Sequence, residues 1–173
     1  MTKIVQEKKI IRTLGELVRK KLFKKALDLA KYFLTNNPKS YEVLNLLGVI
    51  YLKLGEFDNS IEDFEKAINE NPYFPRAYNN LAFVIKKNRR LKEASNILRE
   101  GLDNNPEDNS LRYYLADLLN EKGDTVEAKR LFWECVTRNP KDWESKYKLG
   151  NLYQQQEKYT LVKMNLIQML LIP

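Results

Sequence analysis

The sequence predicts an all-α fold assembled from repeated helix–turn–helix units. An Asn-Pro pair begins at Asn37, Asn71, Asn105 and Asn139, so successive pairs are 34 residues apart. A fixed period of this length is typical of solenoid proteins, in which each repeat is one small supersecondary unit. Glycine and proline number only six each among 173 residues, which confines helix breakers to a few positions. The period and the composition together predict a helical repeat protein.

Each unit between the prolines is expected to form two amphipathic helices joined by a short turn. In the second unit, one face of the first helix carries residues at helical spacing, namely Leu44, Leu47, Gly48 and Tyr51. A turn follows at Gly55. The second helix then presents Ser60, Phe64, Ala67 and Ile68, and it ends at Pro72 because proline lacks an N–H group and restricts the residue before it.

These residues resemble the tetratricopeptide repeat (TPR) motif over nearly the whole chain. The same pattern recurs in the third unit as Tyr78, Leu81, Ala82, Ile85, Ala94, Leu98, Gly101 and Pro106. In the fourth unit it recurs as Arg112, Leu115, Ala116, Leu119, Ala128, Phe132, Cys135 and Pro140, and the fifth keeps Trp143, Leu149, Gly150 and Tyr153. The resemblance implies a right-handed α-solenoid of about five repeats. It also implies a single domain over residues 1–173, with units at approximately 7–40, 41–74, 75–108, 109–142 and 143–173.

Both ends of the chain depart from the motif. Leu14-Gly15 lies one residue closer to its proline than Leu47-Gly48 does, so a residue is expected to be missing near the turn at Lys20-Lys21. A terminal helix is expected from Leu161 to Ile172, apolar nearly all the way round. Such a helix should bury a second face against another copy, a partner or a further stretch of chain, and we expect homo-oligomerisation through Leu166 and Leu170.

The resemblance also implies a concave groove lined by the first helix of every repeat. Amide and aromatic side chains at these positions suit the binding of a peptide, because asparagine both donates and accepts hydrogen bonds and tyrosine is a good interface anchor. The candidate groove residues are Asn45, Arg76, Asn79, Asn80, Phe83, Lys87, Tyr113, Tyr114, Asp117, Tyr147 and Asn151. The alternative is that these side chains are solvated or pack within their own repeat. Trp143 is expected to pack at a junction between repeats.

The distribution of charge leaves further partners open. Residues 1–40 hold eleven Lys and Arg against three Asp and Glu, a net charge of +8. This basic segment could attract an anionic membrane surface, although a solvated helix face is the simpler interpretation. Nucleic acid is disfavoured because few aromatic residues are interleaved with the basic ones. A clamp for the carboxylate of a chaperone tail is also disfavoured, since only two of the five matching positions suit that role.

The composition argues against catalysis and against a bound cofactor. The chain has no histidine, which removes the usual general base and the usual zinc ligand. Its single cysteine, Cys135, falls at a small, buried position of the motif. We therefore expect a cytoplasmic scaffold or adaptor that binds proteins, without cofactor or metal. The alternatives are a secretion-type chaperone and a substrate-selecting subunit of an enzyme complex. Bacterial TPR scaffolds that coat magnetosome organelles are of similar size and self-assemble, but no residue singles that system out.

Overall fold

The computed structural model describes the backbone of residues 3–170 and the side chains of residues 4–160. In that part of the chain, nine helices and no strand are formed, which confirms the predicted all-α fold class. The helices are α1 (Lys3–Arg19), α2 (Phe23–Asn36), α3 (Tyr41–Leu54), α4 (Phe57–Glu70), α5 (Pro75–Lys87), α6 (Leu91–Asn104), α7 (Asn109–Glu121), α8 (Thr125–Arg138) and α9 (Trp143–Leu170). Among them, no helix combines the length and apolar composition needed to cross a bilayer.

The helices fall into two compact units, and the boundary lies within α7. Unit 1 covers Met1–Leu111 and unit 2 covers Arg112–Pro173. In unit 1 each helix from α1 to α5 packs on the next, and α5 packs on α6. The first helices of successive repeats also touch, α1 with α3 and α3 with α5, so their side chains line a common surface. In unit 2, α8 packs on α9.

A residue with left-handed backbone geometry closes the turn inside each of the first four repeats. These residues are spaced 34 apart and have φ angles between 58° and 86°; they are Lys21, Gly55, Arg89 and Gly123. After each one, the next backbone N–H bonds a carbonyl five residues back, as Leu22 N does to Leu17 O at 2.9 Å and Glu56 N to Tyr51 O at 2.9 Å. This is the hydrogen-bond pattern of a Schellman helix end.

The expectation of a missing residue near Lys20-Lys21 is wrong. Lys21 lies 34 residues before Gly55 and makes the same turn, so the first repeat is in register there. The residue that corresponds to Gly48 is Leu14, because 14 + 34 = 48, and Leu14 is fully buried. Gly15 corresponds to Val49 instead. The Leu-Gly pair at 14–15 therefore has the residue types of the motif but not its register.

Large and small side chains alternate between the two helices of each repeat. A Cβ atom added to Gly48 would lie 2.7 Å from the ring of Phe64, so only a small residue fits opposite this phenylalanine. The third and fourth repeats pair the same positions as Ala82 with Leu98 and Ala116 with Phe132, all buried. The first repeat reverses the sizes: Leu14 and Ala30 occupy the two positions and belong to one buried cluster. Close packing is therefore kept by pairing a large side chain with a small one.

The recurring asparagines stabilise the ends of the second helices. Asn105 Nδ2 donates to Gly101 O at 3.0 Å and to Pro72 O at 3.1 Å, which ties the third repeat to the second. Asn37 Nδ2 donates to Phe33 O at 3.2 Å. Asn71 Oδ1 instead accepts from Tyr73 N at 3.0 Å, which closes a turn across the proline. These local bonds explain why asparagine precedes proline at the 34-residue period.

The expected terminal helix from Leu161 is not a separate element. Helix α9 continues without interruption from Trp143 to Leu170. The position equivalent to the turn residue Gly123 is Glu157, since 123 + 34 = 157, and it lies inside α9. No glycine, proline or asparagine occurs between residues 152 and 160, so nothing in this stretch interrupts the helix.

One buried carboxylate interrupts the apolar contacts of unit 1. Asp63 on α4 is 6% exposed, and its Oδ2 atom has no hydrogen-bond partner among the described residues. Its Oδ1 lies 3.5 Å from Lys66 Nζ. Burial raises the pKa of Asp63, and the attraction of Lys66 opposes that rise without cancelling it. The equivalent positions of the other repeats hold apolar residues, namely Leu29, Ile97 and Leu131. A carboxylate is therefore not required for packing at this position.

The pairing of large with small side chains gives a stability prediction. Gly48→Leu should lower the free energy of unfolding by about 1–3 kcal/mol or more, since the added side chain overlaps Phe64. Phe64→Ala should cost about 3–5 kcal/mol through a cavity. The double variant recreates the Leu14 and Ala30 arrangement and should be at least about 1 kcal/mol more stable than the sum of the two losses predicts. Urea unfolding of the four proteins measures this coupling, and additive losses would contradict it.

A second stability prediction concerns the buried carboxylate. Asp63→Leu should raise the free energy of unfolding at pH 7 by roughly 1–2 kcal/mol, because it removes a buried acceptor without a partner. Since the folded pKa lies above the ordinary 3.8, the folded wild type binds the proton more readily than the unfolded chain does. The wild type therefore gains stability as the pH falls through that window, and the advantage of the variant should shrink there. Glu65→Leu on the exposed side of α4 is the control and should change stability by less than about 0.5 kcal/mol. A loss of stability in Asp63→Leu would show that the carboxylate is favourable.

Candidate protein-binding surface

The candidate residues divide between the two units and form two surfaces, each described by itself. The first-helix face of unit 1 comprises Asn45, Arg76, Asn79, Asn80, Phe83 and Lys87, carried by α3 and α5. The first-helix face of unit 2 comprises Tyr113, Tyr114, Asp117, Tyr147 and Asn151, carried by α7 and α9.

Two asparagines join α3 to α5 on the first-helix face of unit 1. Asn80 Nδ2 donates to Asn45 Oδ1 at 2.8 Å. The expectation that Asn45 faces the groove as an accessible side chain is wrong, because only 6% of the residue is exposed. Asn45 instead fixes the orientation of the Asn80 amide, which is half-buried. With one N–H of its amide engaged, Asn80 retains a carbonyl oxygen, a group that can accept hydrogen bonds.

Asn79 is held by the start of α7. Its Nδ2 donates to Ser110 Oγ at 2.9 Å, and Ser110 Oγ donates to Asp108 Oδ1 at 2.6 Å. The Oδ1 atom of Asn79 is buried and accepts no hydrogen bond from a described residue. The structure therefore gives Asn79 a bridging role between repeats, with its amide N–H already engaged.

An aromatic ring and basic groups complete the first-helix face of unit 1. Phe83 is 49% exposed, which is unusual for a phenylalanine in a folded helix pair. Lys87 Nζ lies 5.2 Å from the centre of the Phe83 ring, within the range of a cation–π contact. Arg76 is exposed at the opposite end of α5. This surface therefore combines an accessible apolar ring with positive charge.

Tyrosines dominate the first-helix face of unit 2. Tyr113 is half-buried and packs edge-to-face on Phe132, with the ring centres 5.6 Å apart. Burial raises the pKa of Tyr113 above the ordinary value of a phenol. Tyr114 and Tyr147 are 50% and 63% exposed and keep most of their ring surface available. Asn151 is half-buried one turn beyond Tyr147.

An ion pair links α7 to α9 on the same face. Lys148 Nζ donates to Asp117 Oδ1, and this hydrogen bond raises the pKa of Lys148. Both groups are partly buried, at 34% and 27% side-chain exposure. Asp117 therefore serves first to hold the two helices together, and the exposed tyrosines beside it provide the accessible apolar surface.

Trp143 is a residue of this face that the sequence interpretation assigned elsewhere. The expectation that it packs at a junction is wrong, because its side chain is 69% exposed. It begins α9 one helical turn before Tyr147, so both rings lie on the same side of that helix. The sequence signal for its exposure is its place as the first residue of the fifth unit.

Cys135 is part of the core, as its position in the motif predicts. The side chain is fully buried, and burial raises the pKa of the thiol to about 11. A thiol with so high a pKa holds very little thiolate at neutral pH and is a poor nucleophile. This argues against a reactive role.

Comparisons with known proteins agree with this architecture. Two family models of the tetratricopeptide repeat match the chain, over residues 41–74 and 86–132. Photosystem I assembly protein Ycf3 of Prochlorococcus marinus subsp. pastoris is 38% identical over 52 residues, which cover 30% of this chain and 30% of that protein. The chain thus matches less than a third of the length of this curated relative.

Solved structures share the fold at low sequence identity. The crystal structure of MamA superposes with a TM-score of 0.71 at 19% identity, covering 83% of this chain and 84% of that one. YrrB, described as a TPR protein with an unusual peptide-binding site, gives a TM-score of 0.64 at 20% identity, covering 86% and 76%. The matched family models, the 34-residue period and the repeated helix pairs lead to one conclusion. This chain contains tetratricopeptide repeats, matched over residues 41–74 and 86–132, and it has the fold of that family.

Proposed function

We propose that this protein is an adaptor that binds a peptide or an unfolded protein segment on its first-helix faces. The observation that carries the proposal is the exposure of Phe83, Tyr114 and Tyr147. A helical repeat that needed its first helices only for packing would place polar side chains at these positions. Exposed aromatic rings beside ordered polar groups are instead typical of protein interfaces.

The chemistry of unit 1 favours a ligand that carries both apolar and acidic side chains. An apolar side chain would cover the Phe83 ring, and a carboxylate next to it would meet Lys87 or Arg76. The carbonyl oxygen of the Asn80 amide would accept a backbone N–H from an extended peptide. Asn45 supports this contact indirectly by holding the Asn80 amide in place.

The chemistry of unit 2 favours a more apolar ligand segment. Tyr114, Tyr147 and Trp143 supply ring surface with hydrogen-bonding tips, a combination suited to adaptable recognition. Two of the charged groups on this face, Asp117 and Lys148, already neutralise each other. A segment bound here would therefore be selected by its apolar side chains more than by its charge.

A role as an assembly chaperone is a second candidate. It is supported by the 38% sequence identity, over 52 residues, between this chain and an assembly protein of photosystem I. Adaptors and assembly chaperones bind through the same kind of surface, and they differ in whether the partner is released into a larger complex. In either role we propose that the chain itself is not an enzyme, that it acts in the cytoplasm, and that it self-associates through the C-terminal part of α9. The side chains of Leu166 and Leu170, which the sequence assigns to that contact, lie outside the described ones.

Peptide selection tests the proposed binding surface. A random peptide library is selected against the wild-type protein, and the affinity of the recovered peptides is measured by fluorescence anisotropy. At least one of the variants Phe83→Ala and Tyr147→Ala should bind the selected peptides about tenfold more weakly or worse. Each substitution removes an exposed aromatic anchor. The selected peptides should be enriched in apolar residues, with acidic neighbours where Phe83 matters.

Tyr32→Ala is the matched control for this experiment. Tyr32 is 73% exposed, comparable with Tyr147, but it lies on α2, the second helix of its repeat. Its removal should change peptide affinity by less than about twofold. Equal losses in Tyr32→Ala and Tyr147→Ala would contradict binding on the first-helix faces.

A further inference from the structure

Two of the turns that close the helix pairs of unit 1 are strongly basic. The turn between α1 and α2, residues 19–25, contains no acidic residue, and neither does the turn between α5 and α6, residues 88–92. We call these two segments the basic turns. Their cations are all exposed, and they are Arg19, Lys20, Lys21, Lys24, Lys25, Arg89, Arg90 and Lys92.

Both basic turns lie on one edge of unit 1. Short connections make consecutive packed helices antiparallel, so α1, α3 and α5 run in the same direction. Helix α1 packs on α3, and α3 packs on α5, which places the ends of these three helices side by side. Because packed helices are about 8–10 Å apart, the two basic turns are roughly 20 Å from each other. The turn of the second repeat, which carries Glu56 and Asp58, lies between them.

The left-handed residue of each basic turn is a cation instead of a glycine. In the second and fourth repeats this position is held by Gly55 and Gly123, with φ angles of 83° and 86°. In the first and third repeats it is held by Lys21 and Arg89, with φ angles of 58° and 59°. Glycine adopts a positive φ without a steric penalty, whereas a residue with a Cβ atom does not. Backbone geometry alone therefore favours glycine at both positions.

Helix electrostatics explains only part of the charge in the first basic turn. Arg19 lies in the last turn of α1, where the helix dipole favours a cation. Lys24 and Lys25 lie in the first turn of α2, where the dipole disfavours one and where no acidic residue is present. The first turns of α4 and α8 contain Asp58 and Glu127 instead. The positive charge of this turn is thus opposed by local electrostatics as well as by backbone geometry.

Apolar side chains are exposed on the same edge. Leu22 in the first basic turn is 41% exposed, and Phe57 in the turn of the second repeat is 38% exposed. Apolar side chains beside lysines suit the interface of a bilayer, where they enter the boundary between headgroups and acyl chains. A single-stranded nucleic acid would require several aromatic rings for stacking, and Phe57 is the one exposed ring among the described residues of these three turns.

We propose that this edge of unit 1 binds the surface of a membrane that contains anionic lipids. A bilayer is a plane wide enough to meet both basic turns at once, and its phosphate and carboxylate groups attract their cations. Leu22 and Phe57 add an apolar contact between the two. Such a contact also accounts for the cations at Lys21 and Arg89, since strained backbone positions are retained where function requires them. The contact uses the turns and not the first-helix faces, so it does not depend on peptide binding.

Vesicle flotation tests the contact. At about 0.15 M salt, the full-length protein should bind vesicles of phosphatidylcholine with about 30% phosphatidylserine and should not bind phosphatidylcholine alone. Lys21→Gly with Arg89→Gly should weaken binding by about tenfold or more. The same variant should melt about 2–4 °C higher by circular dichroism, because glycine relieves the strain. Lys24→Gln with Lys25→Gln leaves the turn geometry unchanged and should weaken binding by a similar factor.

Lys8→Gln with Lys39→Gln is the matched control, because it removes two exposed charges near the opposite edge of unit 1. There Ser40 Oγ donates to Glu7, which joins the early part of α1 to the residue before α3. The control should change vesicle affinity by less than about twofold, since its charges lie more than a Debye length from the basic turns. An equal loss in the control and in the turn variants would show that net charge governs binding and would overturn the assignment to this edge.

Three further results would overturn the membrane contact. One is a wild-type protein that does not bind the anionic vesicles at this salt concentration. Another is vesicle binding that stays unchanged in both turn variants. The third is a wild-type protein that binds single-stranded poly(U) but not the vesicles, which would assign the edge to nucleic acid.

Discussion

The left-handed residue that closes each helix pair is the constraint on which the rest of the structure depends. It reverses the chain within one turn and brings the second helix back along the first, so that each repeat forms its own packed pair. Lys21 and Arg89 adopt this geometry with φ angles of 58° and 59°, although a side chain makes it unfavourable by about 1–2 kcal/mol. The packing of the helix pair compensates for this strain. At Glu157 the same constraint is not met, and α9 runs on.

The consequences of that turn extend to the choice of core residues. Once two helices are held antiparallel, a large side chain on one helix requires a small one at the facing position of the other. Gly48 with Phe64 and Leu14 with Ala30 are opposite solutions to this one requirement. Such compensation is tolerated because the total volume matters more to close packing than the identity of either side chain. The repeats can therefore diverge in sequence while their helices stay at the same positions.

Much of this fold could be predicted from the sequence, and the errors have physical causes. The 34-residue period and the ends of the second helices could be predicted from the spacing of the Asn-Pro pairs. The register of the first repeat was missed because Leu14-Gly15 imitates the motif, and because lysine gives no sign that it will adopt a positive φ. A search for pairs of large and small residues 16 positions apart would have placed Leu14 opposite Ala30. The candidate surface was less predictable, since sequence position does not distinguish the buried amide of Asn45 from the half-buried one of Asn80.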